Sequence, residues 1–236
     1  MSEIIDQQGS YTKEISREFF KNVYSYMFGA LAISGILASY CGNEAFFNEY
    51  FMTSQGGISP LFYVVAFAPL GLGLIIQTAY QKLSYGLLLG LFVAYSALMG
   101  VSLSVIFLVY ALPTLASTFF VTAGAFAGMA ILGYTTKTDL TKMGSMLYMV
   151  FIGIFIAGIV NIFMKSDTMG FIISVLGVFV FTGLTAYHMQ QLKEISKDAT
   201  MDTISRQKLS LIGGLTLYIL FVNLFLSLLR LLGSRD

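Results

Sequence analysis

The single histidine of the chain is the residue whose chemistry stands out first. It lies in the stretch 185-TAYHMQQLKE-194, at the end of a long apolar run that turns polar after residue 192. An imidazole has an unperturbed pKa of about 6.5, so His188 is a candidate proton-dependent switch. The alternative is a polar residue at a helix end that touches water or a backbone carbonyl. The sequence leaves both readings open.

Other chemistry is sparse, because the long apolar runs of the chain contain no Asp, Glu, Lys or Arg. Ionisable groups inside a membrane usually mark ion paths and proton relays. One histidine and one cysteine cannot supply a multi-ligand zinc site, and no GxSxG stretch is present. We therefore expect no catalytic residue, no metal site, no cofactor and no enzymatic activity. Besides His188, the candidates for a polar path are the neutral side chains Gln77, Asn161, Gln190 and Asn223.

Composition places these residues in a membrane protein. Of the 236 residues, 57% are hydrophobic and only 11% are charged, against about 25% charged in a soluble domain. The net charge of +1 gives no reason to expect nucleic acid as a partner. The expected surroundings are a lipid bilayer.

Charge-free runs predict where the helices lie, since about 20 apolar residues cross the hydrocarbon core. The run 83–136 is too long for one span and divides at Pro113, while Pro69 falls inside the second helix and would kink it. We predict a single all-α domain over 1–236, with a polar segment 1–21 before a seven-helix bundle. The predicted helices cover 22–43, 61–81, 84–108, 114–134, 143–164, 168–192 and 209–229.

The distribution of Lys and Arg predicts the orientation. With the N-terminus in the cytoplasm, only three of the thirteen cations, Lys165, Arg230 and Arg235, lie on the outer side, as the positive-inside rule favours. Tryptophan is absent, so we expect tyrosines to act as interfacial anchors. The tyrosines in suitable positions are Tyr80, Tyr85, Tyr134 and Tyr148.

Glycine and asparagine predict contacts between helices. Gly86 with Gly90, and Gly124 with Gly128, form GxxxG patterns that allow close packing. We favour packing within one chain over a dimer contact, and expect a monomer. Asn161 and Asn223 are predicted to hydrogen-bond between helices.

Several stretches resemble the bacterial YccA-like branch of the Bax inhibitor-1 (transmembrane Bax inhibitor motif) family. They are 83-LSYGLLLGLFVAYSALMGVSLSVIFLVY-110, 117-STFFVTAGAFAGMAILGYTTKTDLTKMGSMLYM-149, 181-FTGLTAYHMQQLK-193 and 214-GLTLYILFVNLFLSLLRLLG-233. The resemblance implies a seven-helix bundle with the last helix in the centre, in the bacterial inner membrane. It also implies a pH-sensitive calcium leak, in which aspartates on helices six and seven share a proton.

The chain departs from that pattern at both aspartates. The helix-six motif usually reads like YDTQ and here is 187-YHMQ-190, and the helix-seven motif usually reads like LYLDFIN and here is 217-LYILFVN-223. His188 and Leu220 therefore occupy the carboxylate positions. Lys82 approximately matches a basic residue that the family places near the inner end of helix two. Calcium prefers oxygen ligands, so we expect weak or no calcium binding at this site.

Two functions remain open at this stage. One is a leak for calcium or another cation with altered gating, in which His188, Leu220, Asn223 and Lys82 are the candidate sensor and gate residues. The alternative interpretation of Leu220 is that it only packs among its neighbours. The other function is a regulatory membrane protein that transports nothing and binds a partner such as a membrane AAA protease. The segment 1–21 and the connection 193–208 are the docking surfaces expected for such a partner.

Overall fold

The computed structural model describes residues 2–233, with side chains from residue 13 onward. Seven of its helices are long and apolar enough to cross a membrane, and the described residues form no β-strand beyond one isolated bridge between Met52 and Ile58. The prediction of an all-α membrane protein with seven spanning helices is confirmed. The helices are α1 Ser2–Cys41, α2 Pro60–Ala79, α3 Tyr85–Leu103, α4 Leu112–Thr135, α5 Thr141–Met164, α6 Asp167–Ser196 and α7 Thr203–Leu232.

Several helices extend past the predicted ends. Helix α1 begins at Ser2, so the polar segment before residue 22 continues the first spanning helix. The supposed connection 193–208 is mostly helical, and only 197–202 separates α6 from α7. The predicted helices stop at charged residues because they follow charge-free runs. Lys and Glu are nevertheless good helix formers, so a helix can continue through them at a membrane boundary. A cation such as Lys193 also interacts favourably with the C-terminal end of a helix dipole.

The connection between the first two predicted helices carries more structure than expected. It holds a short helix, Glu44–Phe46, and a π-helical turn, Phe47–Phe51. A tight turn follows, in which Gly56 has a φ of +79°, a conformation that L side chains rarely adopt.

Both prolines discussed from the sequence are tolerated where they fall. Pro113 lies in the first turn of α4, where a missing N–H leaves no helical hydrogen bond unmade. The predicted division of the run 83–136 is therefore confirmed, with a short helix Ile106–Val109 between α3 and α4. Helix α2 continues through Pro69, whose ring is buried.

The chain divides into two compact units that share the last helix. The first contains residues 2–111 and 199–218, and the second contains 112–198 and 219–233. In the first unit α3 packs on α1 and α2, and in the second α6 packs on α4 and α5. The prediction of a single domain stays a prediction.

Helix α7 is the most enclosed of the seven. In its most apolar window 61% of the residues are buried, against none in α5. The central position of the last helix within the bundle stays a prediction. The side of the membrane on which the N-terminus lies stays a prediction, and Arg235, one of the cations used for it, falls outside the described residues.

The predicted packing of the GxxxG patterns is wrong. A Cβ atom added to any of the four glycines would meet no atom within 4 Å, so these surfaces are open. Spacing alone does not reveal which face of a helix points inward. The close contacts involve other glycines, among them Gly100 and Gly133.

Candidate functional site

Helix α6 brings His188 to its place through two tight helix contacts. Gly133 of α4 lies against the backbone of Ala186, so close that a Cβ atom would overlap it. Gly144 of α5 lies against the ring of Tyr187, with 2.6 Å between an added Cβ and the ring carbons. Because Ala186 and Tyr187 directly precede His188, these contacts set the position of the imidazole.

The partner of His188 is a tyrosine of the preceding helix. The hydroxyl of Tyr148, on α5, lies 2.6 Å from Nε2 of His188, and either group is able to donate the hydrogen bond. The two rings meet edge to face, with centroids 5.9 Å apart at 86°. The centroid of the Tyr187 ring lies 5.2 Å from the centroid of the His188 ring. His188 therefore links α6 to α5 through a side-chain hydrogen bond.

Tyr148 is the site residue that the sequence analysis missed. We expected it to be an interfacial anchor, and it is 40% exposed as such a role requires. A hydroxyl within a membrane span also needs a hydrogen-bond partner, since the lipid offers none. The predicted spans hold no Asp, Glu, Lys or Arg, so an imidazole within them needs a neutral partner such as a tyrosine hydroxyl.

The two α7 candidates are not joined to His188 by a described hydrogen bond or ring contact. Leu220 is buried, with 5% of its surface exposed. The side-chain amide of Asn223 donates to the carbonyl of Ile219 at 2.8 Å, within its own helix. The interhelical hydrogen bond expected from Asn223 is therefore not made among the described residues, and its polar group is satisfied locally.

Asn161 does join two helices. Its side-chain oxygen accepts a hydrogen bond from the backbone N–H of Ser166 at 3.1 Å. Ser166 caps the start of α6, where its hydroxyl accepts from Met169. Asn161 thus fixes the turn between α5 and α6, and the prediction of a structural role across helices is confirmed for it.

Lys82 belongs to the first unit, apart from the other three candidates in sequence. It lies in the turn between α2 and α3, where its backbone N–H donates to Ala79 at 2.9 Å. Its side chain is exposed.

After His188 in the chain, the last turns of α6 make hydrogen bonds to the connection between α4 and α5 and to the end of α4. Gln190 accepts from the backbone N–H of Leu140 and donates to the carbonyl of Thr138, both at 2.8 Å. Lys193 donates to the carbonyl of Tyr134 at 2.7 Å and also lies over its ring. The motifs GYTTKTDL and YHMQ, about 50 residues apart in the sequence, therefore meet in space.

This end of the second unit is polar and open. A cavity of about 680 Å³ is lined by charged and amide side chains, including Lys137, Asp139, Gln190 and Glu194. Hydrogen bonds from the side chain and backbone of Thr141 hold the pKa of the Asp139 carboxyl below its usual range. Asp139 therefore remains an anion at neutral pH.

No cluster of three or more His, Cys, Asp or Glu side chains suited to a metal ion is found among the described residues. Neither His188 nor Leu220 supplies a carboxylate oxygen. The arrangement can move or hold a proton at the imidazole, and it can tie two helices together.

Comparisons with known proteins agree with this architecture. A family model described as "Inhibitor of apoptosis-promoting Bax1" matches residues 16–236. The inner membrane protein YbhL of Escherichia coli K12 is 43% identical over 218 residues, which cover 92% of this chain and 92% of YbhL. An uncharacterized protein of Borreliella burgdorferi is 42% identical over 221 residues, covering 94% of each chain. A Rickettsia prowazekii protein is 38% identical over 220 residues, covering 93% of this chain and 90% of that protein.

The matches cover almost the whole chain and include all seven spanning helices. They confirm a multi-pass protein of the bacterial inner membrane. The resemblance read from GYTTKTDL and NLFLSLLRLLG is confirmed as well. This integral membrane protein belongs to the Bax inhibitor-1 family.

Proposed function

We propose that this protein is a cation leak of the inner membrane, with calcium as the cation that the family resemblance implies, and that its gate works without a shared carboxyl proton. The observation that carries the proposal is the hydrogen bond between His188 and Tyr148 at 2.6 Å. His188 occupies the position at which the family motif has its helix-six aspartate. His188 then links α6 to α5, whereas the family's helix-six aspartate links helix six to helix seven.

Proton uptake by His188 would change this link. A neutral imidazole either donates to the Tyr148 hydroxyl or accepts from it, whereas an imidazolium only donates. Protonation also puts a cation among apolar side chains in the membrane, which is unfavourable. We therefore expect acidification to loosen α6 from α5 and to increase the leak. This is opposite in sign to a latch of two aspartates, which opens when its proton is lost.

Calcium flux into liposomes that hold the purified protein tests the proposal. We expect flux above that of empty liposomes, rising as the pH falls from 8 to 5.5. His188→Phe keeps a ring of similar size and removes the titratable group, so its flux should not change with pH. A wild-type flux that is flat over this range would rule out His188 as the sensor.

A second pair of substitutions restores the family pattern. His188→Asp together with Leu220→Asp should create a leak that grows with rising pH, since two neighbouring carboxyls share a proton at low pH. Either substitution alone should not do so. If the wild type and the double variant both carry no flux, the leak is disproved. Co-purification of a membrane protease would then favour the regulatory function.

A further inference from the structure

The polar cavity at the end of the second unit has no role in the proposed leak. Its lining comes from the connection between α4 and α5, the start of α5 and the last turns of α6. Its volume of about 680 Å³ lies within the range of roughly 300–1,000 Å³ that is typical of ligand pockets. Because spanning helices end or begin there, the cavity lies at the depth at which lipid headgroups meet a membrane protein.

Opposite charges line this cavity without neutralising one another. Lys137, Lys193 and Asp139 are among its lining residues, and no ion pair joins them among the residues that the structure describes. The fourth charged residue of the lining, Glu194, is already paired with Lys197 at 2.7 Å. Two cations and one carboxylate therefore remain for a ligand.

Local hydrogen bonds hold two of these three charges in place. The Nζ atom of Lys193 donates to the carbonyl of Tyr134 at 2.7 Å, and an ammonium group has two further N–H donors for a ligand. The carboxylate of Asp139 accepts from the backbone N–H of Thr141 at 2.9 Å. Because each charge is held by its own segment, neither has to be ordered when a ligand binds, which lowers the cost of binding.

The surface of α4 that leads to the cavity is apolar. Near the end of this helix Ile131 is 64% exposed and Leu132 is 50% exposed, and the exposed apolar side chains of a spanning helix face lipid tails. Tyr134 follows them, as tyrosines do at the boundary between lipid and water. A ligand with acyl chains would use this surface as well as the cavity, whereas a soluble ligand would use the cavity alone. The arrangement therefore favours a lipid.

We propose that the cavity binds the headgroup of a zwitterionic phospholipid, with its phosphate held by Lys137 and Lys193 and its ammonium group by Asp139. Hydrogen bonds between charged partners are about twice as strong as those between neutral ones. Phosphatidylethanolamine fits because its primary ammonium has N–H donors for the carboxylate. Phosphatidylcholine carries the same charges without those donors, and phosphatidylglycerol lacks the cation. The proposal concerns the second unit alone and does not depend on the leak function.

Native mass spectrometry of the full-length protein, delipidated in detergent and mixed with one lipid at a time, tests this binding. We expect dilauroyl phosphatidylethanolamine to be retained several-fold more than phosphatidylcholine or phosphatidylglycerol with the same chains. Soluble phosphoethanolamine at the same concentration should not be retained, because it has no chains to lie on α4. Equal retention of the three lipids would overturn the proposal, and equal retention of the soluble compound would overturn the lipid as the source of the headgroup.

Two substitutions separate the two parts of the headgroup. Asp139→Asn removes the charge but keeps an oxygen that accepts from Thr141, so phosphatidylethanolamine should lose its advantage over phosphatidylglycerol. Lys137→Gln removes a partner of the phosphate and should reduce the retention of both lipids. The charge-matched control, Glu18→Gln with Lys21→Gln at exposed positions of α1, should leave the lipid preference unchanged. An unchanged preference in Asp139→Asn, or unchanged retention in Lys137→Gln, contradicts the proposed contacts.

Discussion

Two tyrosines, one in each unit, differ in the hydrogen bonding of their hydroxyls. Tyr148 is 40% exposed and still bonds to another side chain, His188, at 2.6 Å. Tyr218 is 0% exposed and meets no side-chain or backbone partner among the described residues. Exposure therefore does not determine which hydroxyl finds a partner. In a membrane an exposed hydroxyl faces lipid and not water, so it needs an internal partner as much as a buried one does.

The largest effect is expected at the tight contact between α4 and α6, which positions the hydrogen bond between His188 and Tyr148 in the second unit. Gly133→Ala forces a Cβ atom into the backbone of Ala186, and such overpacking costs about 1–3 kcal/mol or more. Thermal unfolding in detergent should show a clearly lower Tm. Gly128→Ala on the same helix meets nothing within 4 Å and is the control. Equal Tm values for the two variants would mean that α4 and α6 are not held by this contact.

The next effect concerns Gln190, whose amide oxygen and nitrogen each make a hydrogen bond to the α4–α5 connection in the second unit. Gln190→Leu removes two hydrogen bonds to the α4–α5 connection, and each is worth about 0.5–1.5 kcal/mol. Hydrogen exchange at the Leu140 amide should become much faster. Gln77→Leu, at an exposed position of α2, should change nothing there. Unchanged protection of Leu140 would contradict the role given to Gln190.

A smaller effect measures the link between His188 and Tyr148 itself. His188→Phe, Tyr148→Phe and the double variant form a double-mutant cycle, since each single change leaves one partner unpaired. Interhelical hydrogen bonds in membranes average about 0.6 kcal/mol and reach about 1.7, so we expect a coupling within that range. Additive effects on the free energy of unfolding would show that the two side chains touch without stabilising the pair.

The smallest effect separates acid-dependent stability from acid-dependent flux. Asp202 accepts hydrogen bonds from the side chain and backbone of Ser205 at the start of α7, and these hold the pKa of its carboxyl below the usual value. Because the folded pKa is the lower one, this stabilisation is present above the unfolded pKa of about 3.9 and is lost as the pH falls through the folded value.

Hydrogen exchange at the first turn of α7 should therefore accelerate only below about pH 4. Asp202→Ala should remove that dependence, while Asp202→Asn should keep the cap because an amide oxygen also accepts. A change in flux between pH 5.5 and 8 then points to His188 rather than to this carboxyl. Acceleration already at pH 6 would contradict the lowered pKa.

The number and order of the helices could be predicted from the sequence because a span needs a run of fixed length without charges. Their ends could not, since a helix does not stop where charge begins. Helix α6 carries Lys193 and Glu194 in its last turns, and Lys193 has a backbone carbonyl to bind there.

The site could be predicted only in part. The sequence marked His188 as the titratable group of the spans, and Gln190 as a polar neighbour. It could not assign Tyr148 as the partner, because a pairing across 40 residues depends on how α5 and α6 are rotated. The same uncertainty in rotation made the GxxxG glycines look buried. Tyr218 gave no signal at all, since an aromatic residue in an apolar run reads as core.

The way α7 is divided between the two units has a consequence for synthesis. The first unit needs residues 199–218, which the ribosome makes only after the whole stretch from 112 to 198. At about 5–20 residues per second, α1, α2 and α3 wait in the membrane for some seconds before their fourth helix arrives. Because that same helix also completes the second unit, a chain that ends before Thr203 leaves both units unfinished at once.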